Sequence, residues 1–404
     1  MHTKLWNKDF LLMLQGNAVS AIGDILYSVA IGYWVYDRTG SSSLMGLMSS
    51  ISMFMVMFVS PFSGSIVDKC SRKVLIVGMD LLRGLIMLGM GALAYGNQLS
   101  VAAVLVSAFL ASGCSVFFSP AVSTYFLDII PHDDMVRGQS VSGAVNSLIS
   151  LVGKAVSGML VAFLGVPLII TLNGVSYLFS AVTELFLTVP KTKQQGQAVT
   201  FKGLLSDFSE AGKMILRDRF LSLFIPSALI LNLLGAGPMT LMLPFVLEKG
   251  FTVDMYGYLM SAETAATLIC MVGLGVIKLS PRTRYWGLAL GFMGSVFLYC
   301  FAYWVSDFPA MMVLLFLGCF ANAVGNAIFN ASLMLALPEE NRGIIVGFVS
   351  AFSTGGSALS AVLYGVIGDL FPLTIVFIIG QLLSILPMAL LCFHKNTREF
   401  IISH

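Results

Sequence analysis

The sequence predicts an all-α integral membrane protein: twelve transmembrane helices in two six-helix bundles related by a pseudo-two-fold axis along the membrane normal. Three observations predict it. The 404-residue chain is 57% hydrophobic and 10% charged, where a soluble domain carries about 25% charge, and its mean hydropathy is +0.92. A chain this long and this apolar cannot hide its hydrophobic surface in a soluble core, so lipid must be its solvent. Twelve apolar runs have the length that a bilayer demands of a helix. The third observation is an internal repeat. A shift of 205 residues carries Arg137-Gly138 onto Arg342-Gly343 and Pro167-Leu168 onto Pro372-Leu373. Two copies with an even number of spans share one topology, which requires an axis along the membrane normal.

The runs are 10–36, 44–67, 74–95, 99–127, 136–164, 167–188, 219–247, 256–279, 285–305, 309–336, 343–369 and 372–393. The first is too long for the apolar core of a signal peptide and reads as a retained helix. Most connections are very short. The one long polar interval, Pro190 to Arg219, carries six basic residues, with Phe201, Leu204, Leu205, Phe208 and Ile215 at near-helical spacing. It reads as an amphipathic helix on the membrane surface. The division is therefore 1–189 for the first bundle, 190–218 for a cytoplasmic linker and 219–404 for the second bundle. With both termini in the cytoplasm, inside segments hold eighteen Lys and Arg and outside segments two, Arg38 and Lys249, the asymmetry of a cell (inner or plasma) membrane protein in that orientation.

Several classes are excluded. A formal charge of +2 gives no nucleic-acid footprint. The six cysteines form no C-x-x-C pair and read as small apolar residues. His2, His132, His394 and His404 lie at ends or in a loop, which argues against an intramembrane metal. No nucleotide-binding loop and no familiar hydrolase motif occurs, so the expectation is no enzyme and no cofactor.

The polar positions inside the apolar runs carry the remaining information. An ionisable residue at the bilayer centre costs about 2.5–3.5 kcal/mol on insertion scales and is a functional candidate by default. Asn17, Ser20, Asp24, Tyr27 and Ser28 form a polar stripe on the first helix. Asp24 is either a proton or cation carrier, since a carboxyl in an apolar site can take up and release a proton, or a structural hydrogen-bonding group. Lys154 stands on a ladder with Ser142, Asn146 and Ser150. Its expected partner is Asp24 or Glu263, and contact with an anionic substrate is the third alternative. Glu184, a turn or so from Lys191, reads as an interfacial ion pair. Asn322, Asn326 and Asn330 suit either helix–helix bonding or a polar cavity wall. Asn232 precedes Gly235-Ala-Gly-Pro238, which should bend the seventh span.

Between the second and third runs lies Gly64-Ser-Ile-Val-Asp68-Lys-Cys-Ser-Arg72-Lys73. With twelve spans and a six-plus-six repeat, this stretch resembles the major facilitator superfamily, whose loop there reads G-x-x-x-D-[RK]-x-G-R-[RK]. Gly64, Asp68, Lys69, Arg72 and Lys73 match, and Ser71 stands where the family often has Gly. Tyr36-Asp-Arg-Thr-Gly-Ser41, Asp80-Leu-Leu-Arg83 and Pro338-Glu-Glu-Asn-Arg342-Gly343 are similar to the macrolide-efflux and siderophore-export branch. The resemblance implies a monomeric rocker-switch transporter with a central cavity. Gly64, Asp68, Arg72 and Lys73 would form a cytoplasmic latch supported by Asp80 and Arg83, with Arg72 and Lys73 also meeting anionic membrane lipid. The alternative is that these basic residues are only membrane anchors. The expected activity is proton-coupled export of a small apolar or amphipathic molecule. A lysophospholipid transporter without strict ion coupling is the competing expectation, and a receptor or assembly factor a third.

Overall fold

The computed structural model describes residues 5–131, 134–188, 212–214, 216–217, 221–276, 280–336 and 342–393. The helix read in the linker, the Glu184 partner Lys191 and the Pro338-Glu-Glu-Asn motif lie outside the described residues. The chain divides into two compact units, Met1–Gly40 with Ile51–Thr200, and Ser41–Ser50 with Phe201–His404.

The helices between residues 5 and 188 are α1 (Lys8–Thr39), α2 (Ser42–Lys69), α3 (Arg72–Tyr95), α4 (Val101–Ile129), α5 (Met135–Leu164) and α6 (Val166–Glu184). From residue 221 follow α7 (Leu221–Thr240), α8 (Met242–Glu248), α9 (Val253–Val276), α10 (Pro281–Trp304), α11 (Phe308–Ala336), α12 (Arg342–Leu370) and α13 (Leu373–Phe393). Among the described residues, eleven helices are long and apolar enough to cross a membrane, or twelve when a bent pair is taken as one span. The protein is therefore a multi-pass membrane protein. The bent pair is α7 with α8, at 49°. It falls in the run 219–247, where the Gly235–Pro238 stretch predicts a bend. The break comes at Leu241, where Pro244 has no amide to offer the Thr240 carbonyl and its ring crowds that carbonyl.

Local chemistry sets the helix ends. The Asn7 side chain accepts from the Phe10 amide at 2.9 Å and caps α1. Gly40 ends α1 in the left-handed region (φ 61°), its amide bonded to the Tyr36 carbonyl. Ser100 and Ser280 cap α4 and α10 in the same way as Asn7. The repeat is visible in these ends. Arg137-Gly138 and Arg342-Gly343 open α5 and α12, and Pro167 and Pro372 stand at the starts of α6 and α13.

In the first unit, α3 packs on α4 and α6, and α1 on α5 and α6. Phe10, Met13, Ile76 and Tyr125 centre its core. The α3–α6 approach is close because Gly84 and Gly174 carry no side chain. A Cβ on Gly174 would lie 2.9 Å from the Leu88 backbone nitrogen. Small residues at such crossings are the usual device of membrane helices, where lipid removes the hydrophobic drive for association. In the second unit, α10 packs on α11 and α13, α9 on α11, and α7 on α12 and α13. Phe245, Tyr303 and Phe377 form an aromatic cluster with ring centres 5.0–5.4 Å apart. The opening turns of α2 belong to this unit. There the Asp369 carboxylate accepts from the Ser42 amide at 2.5 Å, the Ser43 amide at 3.2 Å and the Ser41 hydroxyl at 2.9 Å, and also from the Ser43 hydroxyl.

The clasp formed by residues 64–73, a loop in the family that the stretch resembles, is mostly helix. Its first six residues end α2, and only Cys70 and Ser71 separate them from Arg72 at the start of α3. Arg72 is ion-paired with Asp128 near the end of α4. Lys73 donates to the Leu187 carbonyl at 2.8 Å, just past α6. Two further side chains hold the same turn. Tyr125 donates to the Thr188 carbonyl at 2.9 Å, and Asp9 accepts from the Thr188 amide at 3.1 Å.

Candidate functional site

A cavity of about 280 Å³ lies in the first unit. Its polar wall is Asn17, Ser20 and Asp24 from α1, Arg83 from α3 and Ser142 with Asn146 from α5, and Phe118 from α4 also lines it. Three members of the stripe read on α1, Asn17, Ser20 and Asp24, thus line a cavity. Asp24 is open to it, while the groups that hold its carboxylate are buried.

Those groups come from α6. Tyr177 donates to Asp24 Oδ1 at 2.5 Å, and the Asn173 amide lies 3.4 Å from the same oxygen. Arg83 Nη1 donates to the Tyr177 hydroxyl at 3.5 Å. The guanidinium lies over two rings, 4.2 Å from the Phe118 centroid and 4.9 Å from that of Tyr177, a cation–π arrangement that holds a desolvated charge. Arg83 Nη2 lies 3.1 Å from Asp80 Oδ1, one turn back on α3. One hydroxyl therefore joins the cavity carboxylate to a buried ion pair.

Asp80 and Arg83 form the expected i,i+3 pair. They sit with the Asp24 network, two turns or more into α3 beyond the clasp. Glu184 is fully buried and accepts from the Ser180 hydroxyl at 3.1 Å. Lys154 lies half-buried on α5 of the first unit and Glu263 half-buried on α9 of the second. The carboxylate bonds of Asp24 go to Tyr177 and Asn173 rather than to Lys154. Tyr27 faces Ser107 of α4. Asn146 joins the cavity wall, and Ser150, one turn on along α5, does not. On α11, Asn326 donates to Asn322 Oδ1 at 2.7 Å, a bond within one helix, and Asn330 is exposed. Asn232 lies half-buried in α7. Gly64 and Asp68 are within α2, and the Asp68 side chain lies outside the described residues.

Sequence reasoning missed α6. Asn173, Tyr177, Ser180 and Glu184 recur at four, three and four residues, one helical face. The stripe was readable by the pattern that singled out α1. Its members are spread among apolar neighbours, and only one is charged.

The descriptions of known proteins agree with this architecture. The family model described as Major Facilitator Superfamily matches residues 13–361 and 228–403. The multidrug efflux pump Tap of Mycobacterium bovis is 23% identical over 370 residues, covering 89% of this chain and 86% of Tap. Macrolide efflux protein A of Streptococcus pyogenes is 23% identical over 194 residues, and the match spans 48% of each chain. This chain thus aligns with about half the length of that relative. The nucleoside transporter NupG (D323A mutant) shares the fold with a TM-score of 0.75 at 14% identity, covering 95% of this chain and 100% of NupG. A bacterial homologue of the human lysosomal transporter Spinster, in an inward-facing and unoccupied conformation, has a TM-score of 0.70 at 13% identity over 98% of this chain and 97% of its own. These are transporters, not enzymes, and the length of the family match settles where the chain stands: it belongs to the Major Facilitator Superfamily.

Proposed function

We propose that this transporter exports small apolar or amphipathic molecules by alternating access, driven by a proton gradient, with Asp24 as the proton carrier. The observation that carries the reading is the setting of Asp24. It is a carboxylate in the middle of a membrane helix, facing a cavity with polar and aromatic walls and held by two buried side chains of α6. A group so placed meets both a substrate and a proton, and intramembrane carboxylates mark ion pathways. The names of the relatives support export of drug-like compounds: a macrolide efflux protein, a multidrug pump and a putative bacilysin exporter of Bacillus subtilis, the last 29% identical over 171 residues.

The chain works as a monomer with both termini in the cytoplasm, the side its basic residues favour. On that side the Arg72 and Lys73 contacts brace the ends of α3, α4 and α6 as a latch. Lys154 and Glu263 are the next groups to test for coupling.

The test is dye efflux from proteoliposomes containing the full chain, with and without an imposed pH gradient, for the native protein and Asp24→Asn. The expected result is gradient-driven efflux that Asp24→Asn abolishes, while the variant still exchanges substrate across the membrane without a gradient. Undiminished gradient-driven efflux by Asp24→Asn would overturn the carrier role. A lysophospholipid flux indifferent to pH would replace drug export with lipid handling.

A further inference from the structure

The geometry points to a second proton-binding site in the first unit: Asp80 and Glu184, with the Ser180 hydroxyl between them, share one exchangeable proton and compete with Asp24 for Arg83. This rests on the proton-coupled reading above and adds a site to it.

Burial is the first ground. Asp80 and Glu184 are both 0% exposed and Arg83 is 5% exposed. Four helices converge here. The groups facing the pair are Asp24 from α1, Arg83 from α3, Cys114 from α4, and Tyr177 with Ser180 from α6. Asp9 of α1 lies further on, bonded to the Thr188 amide. Gly16 lets α1 close over the pair, since a Cβ there would meet Ser180 Oγ at 2.8 Å and Glu184 Oε1 at 3.5 Å.

Unmet bonding capacity is the second. Among the described residues, both Asp80 oxygens and Glu184 Oε2 are buried without a hydrogen-bond partner, and Arg83 Nε and Nη2 have none beyond the 3.1 Å ion contact. A buried carboxylate left like this is strongly disfavoured, because it has lost its water and gained no bond in return. A bound proton removes the cost: it cancels one charge and turns one orphan oxygen into a donor. Two neighbouring carboxyls with one cation beside them settle at one shared proton, because like charges this close resist ionising together.

Connection is the third. Asp24 Oδ1, the Tyr177 hydroxyl and Arg83 Nη1 are linked at 2.5 and 3.5 Å, and Arg83 Nη2 continues to Asp80 Oδ1. When the Asp80–Glu184 pair gives up its proton, it holds Arg83. When the pair is loaded, Arg83 is free to turn to Asp24. Each cycle binds one proton and releases one, and only O–H bonds form and break.

The experiment is infrared spectroscopy of the protonated-carboxyl band of the full chain in lipid nanodiscs, as a function of pH. It reads proton occupancy whether or not substrate moves, so loss of Asp24-coupled transport and loss of this site are told apart. The expected result is a pH-dependent band with two components. Glu184→Gln removes one, and Asp24→Asn removes the other. Ser180→Ala keeps every carboxyl and displaces the Glu184 component by removing its 3.1 Å hydrogen bond, which serves if Glu184→Gln does not fold. A band unchanged by both Glu184→Gln and Ser180→Ala overturns the proposal. So does a Glu184 component that stays constant across all pH values at which the protein is folded.

Discussion

Gly23→Ala and Gly89→Ala are the same chemical change at two helical sites, and their effects should have opposite signs. A Cβ at Gly23 of α1 would sit 2.4 Å from Asn173 Oδ1 and 2.5 Å from Ser176 Oγ, both on α6. Neither obstacle moves freely. Asn173 is 1% exposed and donates towards Asp24, and Ser176 bonds the Asn173 carbonyl at 2.8 Å. Overpacking of this kind costs about 1–3 kcal/mol, and displacing Asn173 from Asp24 adds about 1 kcal/mol. The gain in helix propensity returns about 1 kcal/mol, leaving a net loss of about 1–3 kcal/mol. A Cβ at Gly89 of α3 would meet nothing within 4 Å, so only the propensity gain remains, up to about 1 kcal/mol. The assay is unfolding of the two variants against the native chain in one lipid or detergent. The predicted gap between them is about 2–4 kcal/mol, summed from these terms. Equal stabilities would refute the packing of α1 on α6 described above. Adding Asn173→Ala to Gly23→Ala should recover part of the loss, because it removes the nearer of the two clashing oxygens.

Exchanging the charges of Arg72 and Asp128 should restore what either single reversal loses. A double-mutant cycle read by unfolding should give a coupling of about 1–2 kcal/mol, since both side chains are mostly buried. Asp369→Ala strips the four Ser41–Ser43 bonds at the start of α2. Faster hydrogen exchange at the Ser42 and Ser43 amides is expected, with about 1 kcal/mol of stability lost as for other helix caps; unchanged exchange would contradict the bonding. Asn326→Ala removes a bond that stays within α11. It should cost under about 1 kcal/mol of stability while altering substrate affinity in the efflux assay, and severe destabilisation would make the Asn ladder structural instead.

The helices were legible because the bilayer imposes a length and an apolar composition that the sequence displays directly. Where the reading differed, tertiary partners decided. The sixth apolar run extends to residue 188, but α6 stops at Glu184, where Lys73, Tyr125 and Asp9 take up the backbone groups of the following turn. The clasp matches a family loop, yet α2 absorbs its first six residues. For the site, α1 announced itself through the concentration of its polar residues. The partner of Asp24 did not. A search for opposite charge leads to Lys154, whereas the oxygen is held by a phenol and an amide. Hydrogen-bonding partners without charge leave no mark in a sequence beyond their spacing.

The glycines connect these two levels. A buried network of carboxyls and one guanidinium cannot form unless the helices carrying it come close enough for side chains to bond across the gap. In the first unit that closeness is set at Gly16 and Gly23 on α1, Gly84 on α3 and Gly174 on α6, each of which would clash with a neighbouring helix if it carried even a methyl group. Gly16 and Gly23 face the same stripe of α6, Asn173 to Glu184, that bonds Asp24 and approaches Asp80. Residues that sequence analysis treats as ordinary membrane-helix filler thus set the distance over which Asp24, Arg83 and Glu184 act. The charged residues define the chemistry of the site, and the glycines determine that these residues meet at all.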